Sequence, residues 1–182
     1  MRLFVALDIP GEIRGQMAEY VERARQYALE ARWARVEGLH VTLKFLGEVN
    51  ESKLPEIKAA LNGIDASPFE IAFQGIGFFP SPRSGRVFWI GVEASDALRQ
   101  LAGTIDERLA HQGFAREQRA YSPHLTLARA GVSGSLRGLA PLLEHEAAPQ
   151  FGTMTAHEFF LFQSHLGKGG SKYTKLERFS LG

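Results

Sequence analysis

Two short segments of the chain carry the same residue types in the same order: His40-Val41-Thr42-Leu43 and His124-Leu125-Thr126-Leu127. In an extended strand, residues two apart point to the same face. Each imidazole therefore lies beside a hydroxyl, and the residues between them point towards a core. The pairing suits acid–base chemistry on a phosphate. An imidazole takes or gives a proton near neutral pH, and a threonine hydroxyl can donate a hydrogen bond to a phosphate oxygen. Two such units facing each other would hold a phosphodiester between a base and an acid, with no metal needed. With six histidines and six threonines in 182 residues, composition alone predicts about 0.2 His-x-Thr pairs.

The elements that must position these segments read as strands and helices in alternation. Leu3 to Leu7 is a compact apolar run and reads as a buried strand. Ile13, Met17, Val21, Ala24 and Ala28 recur at helical steps after Pro10, predicting a helix of about five turns. A strand is expected around Arg32 to Val36. Val41, Leu43 and Phe45 alternate with His40, Thr42 and Lys44, so Phe45 is expected inside, and Lys44 in water or lining a cleft beside His40 and Thr42, with water favoured. Ser52 is the expected N-cap of a second helix carrying Leu54, Ile57, Ala60, Leu61 and Ile64. Phe69 to Phe73 and Val87 to Val92 read as strands around a Phe79–Gly85 loop. Ser95 caps a helix with Leu98, Leu101, Ile105 and Leu109 on its apolar face, stopped at Gly113. His124 to Leu127 is a strand, Leu136 to Glu144 a short helix, and Phe159 to Phe162 and Tyr173 to Phe179 are two closing strands. This order predicts an α+β protein with at least partly antiparallel sheet.

Composition narrows the chemistry further. The chain has no cysteine, which excludes thiolate metal sites, disulfides and a cysteine nucleophile. Its 21 basic and 20 acidic residues argue against a strongly basic, non-specific nucleic-acid binder. From Gln112 to Arg137, however, Arg116, Arg119, Arg129 and Arg137 face only Glu117. That stretch fits either a cleft for a nucleic-acid end or a solvated face. No apolar run reaches membrane-spanning length, and the opening run is too short for a signal-peptide core. A cytoplasmic location is expected.

The segment His40-Val41-Thr42-Leu43-Lys44-Phe45-Leu46-Gly47-Glu48-Val49 resembles the first motif of the two-histidine (2H) phosphoesterases, and His124-Leu125-Thr126-Leu127-Ala128-Arg129 resembles the second. Arg2 to Leu7, Gly75 to Pro80 and Tyr173 to Leu181 are also similar to the bacterial and archaeal RNA 2′,3′-cyclic phosphodiesterases, also named 2′-5′ RNA ligases. The resemblance runs end to end. It implies two pseudo-symmetric lobes with mostly antiparallel sheets around a central cleft, one motif from each lobe, in a single domain over 1–182. It implies metal-independent hydrolysis of an RNA-terminal 2′,3′-cyclic phosphate to a 2′-phosphate, with no cofactor. His40 would be the proton donor, His124 the acceptor, and Thr42 and Thr126 would hold the phosphate. The partners would be RNA ends or cyclic nucleotides carrying that group, not a membrane, and the chain would be a monomer. Ser122 departs from the pattern, which more often has arginine or another large residue there. The alternatives are 2′-5′ RNA end joining at the same residues, a non-catalytic RNA-end binding module, and a 2H enzyme for a small nucleotide.

Arg129 is a further candidate. Strict alternation puts it opposite His124, so either the strand ends or bulges and Arg129 reaches the phosphate, or its side chain snorkels to solvent. Gly167 to Tyr173, with two lysines, reads as a hairpin tip or a basic lip over the RNA backbone. Trp33, Phe78, Phe79, Phe88 and Trp89 are expected in the core rather than as base-stacking platforms. His111 ends a helix, where a cation suits the dipole, and His145, His157 and His165 have no partner pattern.

Overall fold

The structure is a computed structural model that describes residues 1–131, 136–145, 148–167 and 170–182. The elements in chain order are β1 (Arg2–Leu7), α1 (Gly11–Arg25), β2 (Arg32–Trp33), β3 (Val41–Glu48), α2 (Leu54–Leu61), β4 (Phe69–Phe79), β5 (Val87–Ala94) and α3 (Asp96–Ala110). They continue with β6 (His124–Arg129), α4 (Ala140–His145), β7 (Gln150–Ala156), β8 (Glu158–Gly167) and β9 (Gly170–Ser180). The strands form two sheets, ordered β3-β1-β8-β9 and β2-β6-β5-β4-β7. Every pairing among the described strands is antiparallel. The expected α+β architecture of two antiparallel sheets is present.

The sheets repeat one plan. In each, a motif strand pairs with the strand that precedes a long helix: β3 with β1, and β6 with β5. Each helix then crosses to the other sheet. The helix α1 follows β1 but packs on β7, with Tyr20 edge-on to Phe151 at 5.3 Å. The helix α3 follows β5 but packs on β3 and α2. Leu3, Val5, Leu7, Val41 and Leu43 of one sheet and Phe73, Phe88, Ile90, Leu125 and Leu127 of the other are buried in one core with Ile13, Met17, Ile105 and Leu109. The opposite faces are left for the motifs. Among the described residues, no helix is long and apolar enough to cross a membrane.

Several elements differ from the sequence reading. The helix α1 stops at Arg25, so Ala28 packs on the core from beyond its end. The strand β2 is only two residues, because Val36–Gly38 forms a 3₁₀ turn that leads into His40. Ser52 does not cap α2. Asn50 accepts from the Ser52 amide and caps a 3₁₀ turn ahead of the helix. Strand β7 was not expected, since its Gly-Thr-Met-Thr centre has little apolar alternation. Ser95 does cap α3, and Gly113 beyond its end takes a φ of 87°, a left-handed conformation suited to glycine. The hairpin expected after Gly167 keeps its ladder to the Gly167–Gly170 pair. The lip expected there falls partly on Lys168 and Gly169, outside the described residues.

Lys44 is not in water. It is 7% exposed, and its ammonium donates to Asp106 at 2.5 Å and to the Ala115 carbonyl at 2.8 Å. Phe45, expected inside, is 69% exposed. Both reversals have one cause, a break in the strand register.

Candidate active site

On β3, Thr42 pairs with Ala6 and Lys44 with Val5, so Leu43 is an extra residue. On β6, Thr126 pairs with Trp89 and Ala128 with Phe88, so Leu127 is an extra residue. Each motif strand thus bulges at the leucine three positions after its histidine. A bulge places two consecutive residues on one side and reverses the alternation beyond. Leu43 and Lys44 both turn inwards, as do Leu127 and Ala128. The fifth residue after each histidine returns to the histidine's face. Those residues are Phe45 and Arg129, both exposed. Of the readings open for Arg129, the bulge is the one present.

The two imidazoles are held alike. His40 Nδ1 lies 2.7 Å from the Gly38 carbonyl and His124 Nδ1 2.9 Å from the Ser122 carbonyl. A carbonyl can only accept, so Nδ1 carries the proton in both rings and Nε2 is left for chemistry. Tyr121, three residues before His124, donates its hydroxyl to the Thr42 carbonyl at 2.8 Å. The lead-in to the second motif is thereby tied to the first. Burial of Tyr121 pushes its phenol pKa up, which keeps it a donor.

The surroundings of the two rings differ. His40 stacks on Phe4 at 4.4 Å and 28°, and Phe162 stacks against both rings, 5.1 Å from Phe4 and 6.0 Å from His40. Tyr173 stands edge-on to His40 at 5.1 Å and packs over Gly38, where a Cβ would lie 2.8 Å from its ring. Phe4, Ala6, Phe160 and Phe162 form a buried cluster separate from the main core, on this face of the sheet. His124 instead meets Phe79 edge-on at 5.0 Å. Phe79 is 38% exposed, so it supports the site rather than the core. Phe78 and Phe88 are core residues as expected.

A charged group flanks the first motif. Arg14 donates from Nη2 to Asp8 at 2.5 Å and to the Leu39 carbonyl at 2.8 Å, fixing the peptide that enters His40. Lys175 donates to the other Asp8 oxygen and lies 4.0 Å above the Phe160 ring. Burial alone would raise the Asp8 pKa, but the hydrogen bonds from Lys175 and Arg14 outweigh it and hold the carboxyl below its usual range. The His40 pKa is lowered, chiefly by burial and further by the Arg14 charge, against the Gly38 hydrogen bond and Asp8. Among the described residues, no group of three or more His, Asp or Glu side chains could hold a metal ion.

Sequence reasoning singled out both histidines, both threonines and Arg129, and the structure sets them on two strands that bulge at the same place. It did not single out Phe45, Tyr121, Tyr173, Asp8 and Arg14 as neighbours of these residues. Phe45 had a signal, since it stands at the same offset from its histidine as Arg129. The others come from distant segments and left none. An exposed phenylalanine forgoes most of the about 1.5–3 kcal/mol that burying its ring would contribute, so its outward position has no explanation in stability.

The chain resembles known proteins over nearly its whole length. The family model of LigT-like phosphoesterases matches twice in tandem, over residues 7–89 and 90–173, one copy for each motif. An RNA 2′,3′-cyclic phosphodiesterase of Archaeoglobus fulgidus is 37% identical over 98% of this chain and 99% of its own. Its Escherichia coli namesake is 31% identical over 99% and 96%. The crystal structure of E. coli LigT complexed with 3′-AMP superposes with a TM-score of 0.78 at 31% identity, covering 99% of this chain and 97% of that one. A Thermus thermophilus protein superposes with a TM-score of 0.80 at 28% identity, covering 100% and 98%. With both copies of the family pattern present and relatives matched over nearly their full length, the chain belongs to the LigT-like phosphoesterases of the 2H superfamily and is a phosphoesterase.

Proposed function

We propose that this chain hydrolyses the 2′,3′-cyclic phosphate at an RNA end to a 2′-phosphate, using His40 and His124 as the only acid and base. The observation that carries the reading is the duplication of one device. Each imidazole has its Nδ1–H fixed by the carbonyl two residues earlier, and each has a threonine on its own face. The names of the relatives supply the substrate class, and the nucleotide held by E. coli LigT agrees with it.

The reaction divides between the two rings. His124 Nε2 takes a proton from water as the water oxygen bonds to phosphorus. The bond from phosphorus to the ribose 3′-oxygen breaks, and protonated His40 gives its Nε2 proton to that oxygen. The products are a 2′-phosphate and a free 3′-hydroxyl. Thr42 and Thr126 donate to the non-bridging oxygens, and Arg129 offsets their charge.

The test is incubation of the protein with cyclic-ended RNA and 2′,3′-cyclic nucleotides, with and without chelator, followed by separation of 2′- from 3′-phosphate products. A 2′-phosphate formed in chelator is expected. Loss of activity in EDTA with recovery on a divalent ion would overturn the metal-free mechanism, and binding without turnover would overturn the enzyme reading. His40→Ala and His124→Ala should each lower turnover by roughly 10²–10⁴-fold. A substrate with a good leaving alcohol should partly rescue His40→Ala and not His124→Ala. Rescue of His124→Ala alone would reverse the two roles.

A further inference from the structure

We infer that Arg32, beside Arg129, seats a second phosphate: the phosphodiester that joins the cyclic-ended nucleotide to the rest of the RNA chain. The inference rests on the proposed reaction and narrows its substrate from a cyclic nucleotide to the end of a chain.

The duplicated plan is broken at one place. Strand β3 ends its sheet, whereas β6 is flanked by the two-residue strand β2. In that pairing Arg32 stands directly opposite Arg129, and Trp33 opposite Ala128. Residues directly opposite share a face, with Cβ atoms about 4.5–5.5 Å apart. On its other side Arg129 pairs with Val87, and Thr126 pairs with Trp89, two positions along β5. Arg32 therefore lies on the face that carries His124 and Thr126. Strand β2 is anchored from the core side. Trp33 meets Phe88 edge-on at 6.2 Å and donates from Nε1 to the Ala28 carbonyl at 3.0 Å. The Ala34 amide donates to the Leu127 carbonyl at 2.7 Å. The backbone that presents Arg32 is thus fixed against the second motif strand.

Like charges directly opposite across a ladder destabilise a sheet. Arg32 and Arg129 are both exposed, and among the described residues neither guanidinium makes an ion pair or a hydrogen bond. Glu30, two residues before Arg32, engages neither of them. An anion held at the pair turns that repulsion into attraction. The cyclic phosphate carries a single negative charge, which Arg129 matches. Arg32 is left for a second anion one strand further out, and at an RNA end the next anion is the neighbouring phosphodiester. A planar guanidinium holds a phosphate through paired N–H donors. A cyclic mononucleotide lacks that second group, so the contact is made only by a chain.

The test uses three substrates that share the reacting group. They are 2′,3′-cyclic AMP, the dinucleotide ApA ending in a 2′,3′-cyclic phosphate, and the same dinucleotide with a neutral methylphosphonate as its internal linkage. In the wild type, kcat/KM should favour the charged dinucleotide over both others. In Arg32→Gln its advantage over the methylphosphonate twin should fall by about 10-fold, the lower end for a hydrogen bond to a charged group because the site is exposed. Arg32→Lys keeps the charge but not the fork, and should keep part of that advantage. The Tm of the free Arg32→Gln protein should not fall, since the substitution removes a like charge. Equal kcat/KM for the two dinucleotides in the wild type, equal losses on all three substrates in Arg32→Gln, or a lowered Tm would overturn the second phosphate site while leaving the hydrolytic reading intact. A wild type that turns over none of the three would overturn both.

Discussion

The substitution Asp106→Asn removes one charge from the buried pair that β3 makes with α3 and tests how the site is braced. Lys44 and Asp106 side chains are 6% and 14% exposed and 2.5 Å apart. Asp106 also accepts from the Glu117 amide and from Arg116, and Lys44 donates to the Ala115 carbonyl. The pair therefore pins the 115–117 segment, on the path to His124, against the strand of His40. Asparagine keeps the shape but leaves the ammonium without its anion. Removing one partner of a buried pair costs about 3–5 kcal/mol, against ~0–1 for a surface pair. For a chain of this length that loss lowers Tm by about 6–20 °C. Urea denaturation followed by circular dichroism should show the midpoint falling with an unchanged slope. Lys44→Met with Asp106→Leu together should recover most of the loss, since apolar replacement of a whole pair is often neutral. The pH dependence has a definite sign. Burial would raise the Asp106 pKa, but the Lys44, Glu117 and Arg116 contacts outweigh it and bring it below its ordinary 3.8. Its stabilisation is then full above that value and disappears as pH falls through the lower folded one. Asp106→Asn should remove that acid-limb loss. A change below about 1 kcal/mol, or an unaltered acid limb, would refute the claim that the pair is effectively buried.

Three further outcomes follow from the geometry. Thr42→Ala and Thr126→Ala should each lower kcat/KM roughly 10–100-fold with little change in Tm, the worth of one hydrogen bond to a charged group, as measured with a cyclic nucleotide. In the free protein, NMR titration of the His40 ring should give a pKa below the usual 6.5, because burial disfavours its cation. The same shift makes stability fall as pH drops from 6.5 towards the folded value. Gly77→Ala should cost about 1–3 kcal/mol by overpacking, because a Cβ there would sit 2.1 Å from the Trp89 ring. Trp89 packs on Phe79, which packs on His124, so turnover should fall as well. An unchanged Tm and rate in Gly77→Ala would show that the ring moves freely.

What the sequence conveyed depended on range. A continuous apolar run located β1, and periods of two and 3.6 located α3 and both motif strands, because such patterns record which faces are buried. The Ser95 cap and the Gly113 stop were legible for the same reason, as each acts within a few residues of its helix. Lys44 and Phe45 were misread because alternation was extended through a bulge that no nearby residue announces. The bulge is visible only against β1, where Val5 and Ala6 skip Leu43. Lys44 tolerates the inside because Asp106, 62 positions away, meets it there. Tyr121 and Arg14 brace the site across similar distances, 79 and 25 positions.

Duplication supplies two chemically identical imidazoles, yet the proposed reaction needs one charged and one neutral. The difference must come from their surroundings. His40 is stacked on Phe4, flanked by Tyr173 and near Arg14, so its cation is disfavoured in the empty site. A donor with a lowered pKa gives up its proton readily but is seldom protonated at neutral pH. A bound phosphodiester reverses that second effect, since its negative charge beside Nε2 favours the imidazolium. The donor would then acquire its proton when the anionic substrate arrives. The rings that shield it are Phe4 and Tyr173. On this reading those surroundings distinguish two otherwise equivalent histidines.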